Sequence, residues 1–300
     1  GVHAKRIGVH INFAPVTDIN TNPNNPIIGS RSFGEDKFSV TNKSLSYLMG
    51  MQSEGIMGSA KHFPGQGDTS TDSHKTLPTI NFSAKRINEV ELFPYKKLID
   101  NNLSSVMVAH MEVPSLEKEP KMPSTLSKNI ISKLLKKKLK FEGLVITDAM
   151  DMKGVVDFNK NQSADVSALL AGNDILLMPD DLDESTKSIK NAINNGIITE
   201  KRLKYSVKKI LMAKYKAGLH QNNKVILDNI VEDMNSDVDK LLFEEITEKS
   251  ITLIKNDKDI LPLKDVSSKI AFLEMGDSNS DEFFKMLNHY TKVDKVEYDS

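Results

Sequence analysis

A loop rich in glycine and proline carries four ionisable side chains at close spacing. Lys61 and His62 follow an apolar run, and Asp72 and His74 come further along the same loop. Three glycine and proline residues between the two pairs require tight turns, which would keep the ionisable groups near one another. Loops that hold such groups on a rigid scaffold usually carry function, and a plain surface connection is the alternative. The long ordered pattern of residues 61–78 favours the functional interpretation.

The spacing of Asp72 and His74 suits acid–base chemistry. Two residues apart in a turning loop, the carboxylate can hydrogen bond one imidazole nitrogen and leave the other free to donate. Histidine ionises near neutrality, so it can act as an acid and then as a base. A zinc site formed by His62, Asp72 and His74 is conceivable, but the loop lacks the His-x-x-x-His spacing of a helical metal site. We therefore expect no metal ion.

Asp148 is the candidate nucleophile, because it ends the apolar run 143–148. An ionised carboxylate at a strand end can act as a nucleophile, bonding to an electrophilic carbon or stabilising positive charge on it. A helical pattern follows, so capping of a helix explains the position of Asp148 equally well. Asp151 is a second carboxylate nearby, and its phase along the strand is unfavourable. In a two-carboxylate mechanism, Glu112 could supply the acid.

Short apolar runs that end in polar residues alternate with helical patterns along the chain. Such alternation predicts an α/β fold with a parallel sheet that helices cover on both faces. Because polar residues end every run, a (β/α) barrel with its active site at the strand ends is favoured over a doubly wound sheet. The predicted strands are 11–18, 55–62, 105–110, 143–148 and 174–179, and the predicted helices are 38–54, 83–101, 127–139, 182–194 and 203–218.

The composition is that of an ordinary globular protein. The 300 residues carry a formal net charge of −1, with 27% charged and 39% hydrophobic residues. This balance gives no indication of a nucleic-acid partner, and we interpret the lysine run 133–140 as the solvated face of an amphipathic helix. The absence of cysteine excludes disulfides and thiolate catalysis, and no apolar run has transmembrane length. The compartment cannot be predicted.

The segment 61–78 resembles the signature of glycoside hydrolase family 3, and its ending Asp72-Ser73-His74 resembles the N-acetyl-β-glucosaminidase branch. The resemblance implies a (β/α)8 TIM-like barrel whose opening strands precede Gly1, followed by the start of an α/β sandwich domain. The implied domains are a catalytic barrel over residues 1–220, a linker over 221–247 and the beginning of the sandwich over 248–300.

The same resemblance implies roles for individual residues. Asp148 matches the family's nucleophile, and His74 matches its acid/base, oriented by Asp72. Lys61 and His62 would hydrogen bond sugar hydroxyls. His110, which ends a predicted strand, is a further candidate for lining the pocket. The family's early aspartate and arginine have no counterpart here, whereas Arg31 matches the arginine that holds the non-reducing sugar.

The implied activity is that of a retaining β-N-acetylhexosaminidase. It would remove terminal β-linked N-acetylglucosamine from peptidoglycan or its muropeptide fragments, without a cofactor. A glycoside phosphorylase is an alternative, because a histidine acid/base does not repel phosphate as a carboxylate would. A family 3 β-glucosidase is another, and a non-catalytic carbohydrate-binding barrel is disfavoured because Asp148 and His74 are both present.

Overall fold

The chain folds into two compact units, residues 1–235 and residues 236–300. The computed structural model describes residues 1–70, 76–156, 158, 163–221, 224–267, 269–275 and 280–297. The division between the units falls inside the segment that we predict as a linker, and the predicted domain limits stay predictions.

Five parallel strands form the sheet of the first unit, and their spatial order follows the sequence. Such an order is typical of a barrel, whereas a doubly wound sheet reverses direction at a switch point. Each strand lies within or overlaps one of the predicted runs. The strands are β1 (Ile11–Asn12), β2 (Met57–Phe63), β3 (Ser105–Val108), β4 (Leu144–Ala149) and β5 (Ile175–Leu177).

Helices connect these strands, and side-chain caps start several of them. Asp36, Ser83, Asp181 and Thr199 each accept a hydrogen bond from a backbone N–H in the first turn of the helix that follows. The α-helices of the first unit are α1 (Val2–Arg6), α2 (Lys37–Gln52), α3 (Ala84–Glu89), α4 (Phe93–Asp100), α5 (Lys153–Val156), α6 (Ala164–Ala171), α7 (Leu182–Asn194), α8 (Glu200–Lys216) and α9 (Ile230–Asp233), with a π-helix at Asn129–Lys138 and 3-10 turns at Gly29–Arg31, Ser124–Leu126 and Leu219–Gln221.

The single helix predicted over 83–101 is wrong, because the structure has α3 and α4 there with a break between them. Pro94 lies in the first turn of α4. Proline has no N–H to donate to the preceding turn, so it interrupts a continuous helix and is well suited to starting a new one.

The main core lies between the sheet and the helices packed on it. Phe63 of β2 meets Tyr95 of α4 edge to face, with ring centroids 5.1 Å apart. Burying each large apolar side chain contributes roughly 1.5–3 kcal/mol, so this core is what holds the strand ends in register. Its fully buried members include Val106, Val108, Val145, Leu98, Ile130, Ile131 and Leu135.

The second unit contains a small parallel strand pair. Strand β6 (Ile270–Glu274) pairs with β7 (Val293–Glu297), and helix α11 (Asp281–Tyr290) connects them. Helix α10 (Asp237–Ser250) precedes a 3-10 turn at Asp257–Asp259. Among the described helices of both units, none is long and apolar enough to cross a membrane.

Candidate active site

The carboxyl ends of the strands bring four predicted site residues together. Lys61 and His62 lie near the end of β2, Asp148 lies near the end of β4, and Arg31 ends the 3-10 turn that follows β1. Nη2 of Arg31 is 3.5 Å from Nε2 of His62. Burial lowers the pKa of Lys61 and the Arg31 charge lowers it further, whereas the Asp148 carboxylate raises it. These charges therefore act on one another at one edge of the sheet.

The other two predicted site residues, Asp72 and His74, lie outside the described residues. The structure does, however, describe both ends of the loop that contains them.

The first end of the loop is held by a buried carboxylate that the sequence analysis missed. Asp18 is fully buried and accepts hydrogen bonds from Nδ1 of His62 at 2.7 Å and from the backbone N–H of Gln66 at 2.7 Å. A carboxylate only accepts, so Nδ1 of His62 carries a proton and Nε2 is the atom left for other partners. Asp18 ends the predicted run 11–18, and that position was the available signal.

The two glycines of the loop motif are required by packing. Gly65 has a φ of +128°, and a Cβ there would lie 2.7 Å from Cβ of Glu91. At Gly67 a Cβ would lie 1.8 Å from the carbonyl oxygen of Ile19. Only glycine permits this backbone conformation and this approach. The two glycines are thus spaced to match the close packing of this loop against Glu91 and Ile19.

Glu112 holds the far end of the loop. Its carboxylate accepts from Oγ1 of Thr79 at 2.9 Å and from the backbone N–H of Lys121 at 2.7 Å. The backbone N–H of Glu112 donates to the carbonyl of Pro78, and its carbonyl accepts from the N–H of Ile80. Both carboxylate oxygens of Glu112 are thereby engaged in joining loops. This arrangement favours an anchoring role for Glu112 over the acid role considered from the sequence.

The nucleophile candidate Asp148 is half-buried and is the second-to-last residue of strand β4. Asp148 belongs to β4, and the next helix, α5, begins only at Lys153, so the capping alternative for Asp148 is wrong. Oδ1 of Asp148 accepts the N–H of Ala149 at 2.9 Å. Asp151 follows the strand and is exposed. Of these two carboxylates, Asp148 alone shares the strand end with the cationic and imidazole groups.

His110 does not line the pocket. It is completely buried, with Nδ1 2.6 Å from Oγ1 of Thr125 and Nε2 2.9 Å from the carbonyl oxygen of Ala149. With both ring nitrogens engaged inside the protein, the imidazole has no atom left for a sugar. Among the described residues, no cluster of histidine, aspartate and glutamate could hold a metal ion.

Comparison with known proteins identifies relatives over most of the chain. The sequence profile of the glycosyl hydrolase family 3 N terminal domain matches residues 1–213. Beta-hexosaminidase A from Pseudoalteromonas piscicida is 31% identical over 296 residues, which cover 92% of this chain and 49% of that protein. The chain thus spans about half the length of this relative.

Two solved structures share the fold. A glycoside hydrolase family 3 beta-N-acetylglucosaminidase from Paenibacillus sp. str. FPU-7 matches with a TM-score of 0.82 at 29% identity, over 98% of this chain and 58% of that chain. A beta-glucoside phosphorylase matches with a TM-score of 0.86 at 28% identity, over 99% of this chain and 57% of that chain. These matches confirm the predicted α/β fold class of the TIM-like barrel type.

Proposed function

The chain belongs to glycosyl hydrolase family 3, and from this premise we propose that it supplies the catalytic barrel of a retaining exo-β-N-acetylhexosaminidase. Its substrate is a glycan with a terminal β-linked N-acetylglucosamine, such as peptidoglycan or a muropeptide. The observation that carries the proposal is the position of Asp148, which shares the strand ends with Lys61, His62 and Arg31. The names of the hexosaminidase relatives support the choice of sugar.

The reaction proceeds in two displacements. In the first, a carboxylate oxygen of Asp148 bonds to the anomeric carbon as the glycosidic C–O bond breaks, and His74 gives its proton to the departing oxygen. In the second, His74 takes a proton from water, which attacks the anomeric carbon and releases Asp148. Asp72 orients the His74 imidazole and stabilises its charged form. The roles of His74 and Asp72 rest on the loop motif.

Three further side chains bind the sugar. Arg31 and Lys61 donate to its hydroxyl oxygens, and Nε2 of His62 accepts from a hydroxyl. Asp18 supports the last role, because it holds the proton of His62 on Nδ1, away from the sugar.

Replacement of Asp148 tests the nucleophile. In the protein expressed from its complete coding sequence, we expect Asp148→Ala to lower turnover by about four orders of magnitude or more, because covalent catalysis is lost. A mechanism-based fluorosugar should label Asp148 in the unaltered protein, as peptide mass spectrometry would show. Asp151→Ala is the matched control and should retain most activity. Labelling of Asp151 or Asp72 would contradict the assignment.

The choice of sugar and acceptor needs a separate measurement. We expect hydrolysis of an aryl β-N-acetylglucosaminide to exceed that of the matching aryl β-glucoside, and the reverse order would indicate a β-glucosidase. The structural similarity to a phosphorylase makes phosphorolysis the competing reaction. If turnover depends on added phosphate and yields a sugar phosphate, the protein is a phosphorylase and the proposed hydrolase is excluded.

A further inference from the structure

His110 is a buried histidine that the proposed reaction does not use, and its contacts lead directly to Asp148. The ring is 0% exposed, at the end of β3. Nε2 lies 2.9 Å from the carbonyl oxygen of Ala149, which can only accept a hydrogen bond. Nε2 therefore carries the proton. Burial lowers the pKa of His110 despite the opposing charge of Asp148, which favours the neutral ring.

A neutral ring with its proton on Nε2 leaves Nδ1 as an acceptor. Its partner is the hydroxyl of Thr125, 2.6 Å away, which consequently donates. Thr125 is itself buried, and its carbonyl oxygen accepts from Nδ2 of Asn173 at 2.8 Å. The neighbouring Ser124 bonds the carbonyl of Met111 through both its N–H and its hydroxyl. The Ala149 carbonyl thus sets the tautomer of His110, and the buried Thr125 hydroxyl pairs with Nδ1 and holds the ring in place.

The Ala149 residue links this donor chain to the proposed nucleophile. Its carbonyl accepts from His110, and its own N–H donates to Oδ1 of Asp148 at 2.9 Å. The carbonyl also accepts from Met152 at 3.2 Å, within the turn after β4. The orientation of Ala149 therefore decides which way the Asp148 carboxylate points. His110 is the side chain that holds this orientation from inside the barrel.

We propose that His110 is a positioning residue, which Thr125 holds through Nδ1 and which in turn holds Ala149 through Nε2 and thereby aims the Asp148 carboxylate at the anomeric carbon. This role rests on the proposed function of Asp148 and does not involve contact between His110 and the sugar. Nucleophilic attack requires close alignment, and a displacement of about 1 Å can reduce the rate about 100-fold.

The test compares two substitutions at His110 in the protein expressed from its complete coding sequence. His110→Leu removes the donor to Ala149, and we expect kcat and the rate of inactivation by the fluorosugar to fall together by about 100-fold, with KM within about threefold. His110→Gln offers an amide N–H to the same carbonyl and should recover activity to within about tenfold of the unaltered protein. Thr125→Val, which removes only the hydroxyl, should give a smaller loss than His110→Leu.

Nitrogen NMR of the unaltered protein supplies a measurement that does not depend on any variant folding. We expect the His110 ring to carry its proton on Nε2 and none on Nδ1. A proton on Nδ1 alone, inactivation of folded His110→Leu at the unaltered rate, or an effect confined to KM would each overturn the proposal. Labelling of a residue other than Asp148 would instead contradict the proposed nucleophile, so the two failures are distinguishable.

Discussion

At the scale of single residues, the buried Asp18 shows how one carboxylate can prepare a binding side chain. It accepts from the ring and the backbone of His62, and from the backbone of Gln66. The same group therefore fixes the tautomer of His62, the proposed sugar-binding histidine, and the start of the loop that leads to Asp72. Asparagine has the same shape but no charge, and its amide N–H would face one of these donors instead of accepting from it.

Asp18→Asn should consequently destabilise the protein and weaken substrate binding. We expect a loss of about 1.5–3 kcal/mol in the free energy of unfolding, the range for hydrogen bonds to a charged group, and a raised KM. Urea unfolding and steady-state kinetics measure the two effects. Asp36→Asn is the matched control. The exposed Asp36 caps α2 by accepting a hydrogen bond from the backbone N–H of Ser39, and asparagine caps a helix equally well. An unchanged stability for Asp18→Asn would contradict the role of the carboxylate.

The acid role of His74 predicts a dependence on the leaving group. His74→Ala should slow substrates with poor leaving groups most, because an activated aryl group departs without a proton. Azide should restore breakdown of the glycosyl-enzyme, for which the base is missing. Asp72→Ala should show a weaker form of the same pattern, since the role proposed for Asp72 is to orient the imidazole. The measurement is kcat/KM across a series of aryl β-N-acetylglucosaminides.

The outcome for Glu112 decides between the two acids. Glu112→Ala should lower activity by a similar factor for every leaving group, because Glu112 anchors the loop through Thr79 and Lys121. A flat response of His74→Ala, together with a steep response of Glu112→Ala, would assign the acid role to Glu112.

At the scale of elements, one buried carboxylate joins α8 and the π-helix to the sheet. Asp174, just before β5, accepts from Lys209 and Ser206 of α8 and from the N–H of Val145. Lys136 of the π-helix lies 3.5 Å away. Asp174 lies at the amino end of its strand, opposite the proposed active site, where barrel residues usually serve stability.

Stability should therefore depend on the protonation of Lys136. Burial lowers the pKa of Lys136 from 10.5 to about 8, despite the opposing charge of Asp174. Between pH 8 and 10.5 the unfolded chain binds more protons at this group than the folded protein does, so its contribution to stability rises with pH. Below pH 8 Lys136 is charged in the folded protein, so the full free-energy cost of burying its charge remains. Above pH 10.5 Lys136 is neutral in both states, and that cost disappears.

Lys136→Met tests this dependence. The unfolding free energy of the unaltered protein minus that of Lys136→Met should increase from pH 8 to pH 10, as urea unfolding at several pH values would show. Lys133→Met is the control, because Lys133 is exposed on the same helix. A difference that stays constant over this range would show that burial does not shift the pKa of Lys136.

At the scale of the whole molecule, the described part of the first unit has open sheet edges and exposed apolar side chains, which a closed barrel would not have. Within the described residues, β1 and β5 are the outer strands of the sheet, and each pairs on one side only. Helix α8 exposes Leu211, Met212 and Tyr215, which are 58%, 51% and 66% accessible. Open sheet edges and contiguous apolar surface both promote association.

We expect the isolated polypeptide 1–300 to show little or no hydrolysis and to bind a hydrophobic dye. Substituting Leu211 and Met212 by lysine should reduce dye binding without producing activity. These lysines neither pair with the open strands β1 and β5 nor supply a side chain that binds the sugar. The comparison is with the protein expressed from its complete coding sequence, measured on the same aryl glycoside. Robust hydrolysis by 1–300 alone would show that these residues already contain a complete active site.

The sequence by itself determined the alternation of strands and helices, the family and the strand ends where ionisable residues collect. These features depend on local order: apolar runs specify buried parallel strands, and the motif 61–78 is contiguous. Gly65 and Gly67 could be recognised as turn residues in the same way. The helix over 83–101 was predicted as continuous, although Pro94 in that segment favours the start of a new helix.

Only the tertiary structure decided which buried polar groups hold the site in place. Asp18 meets His62 across 44 residues, and His110 meets Ala149 across 39. Neither pair shares a motif, so no local pattern reveals that the partners meet. Burial makes these contacts necessary, because a polar group enclosed in the core must find a partner, and the packing of neighbouring strands determines which one it finds.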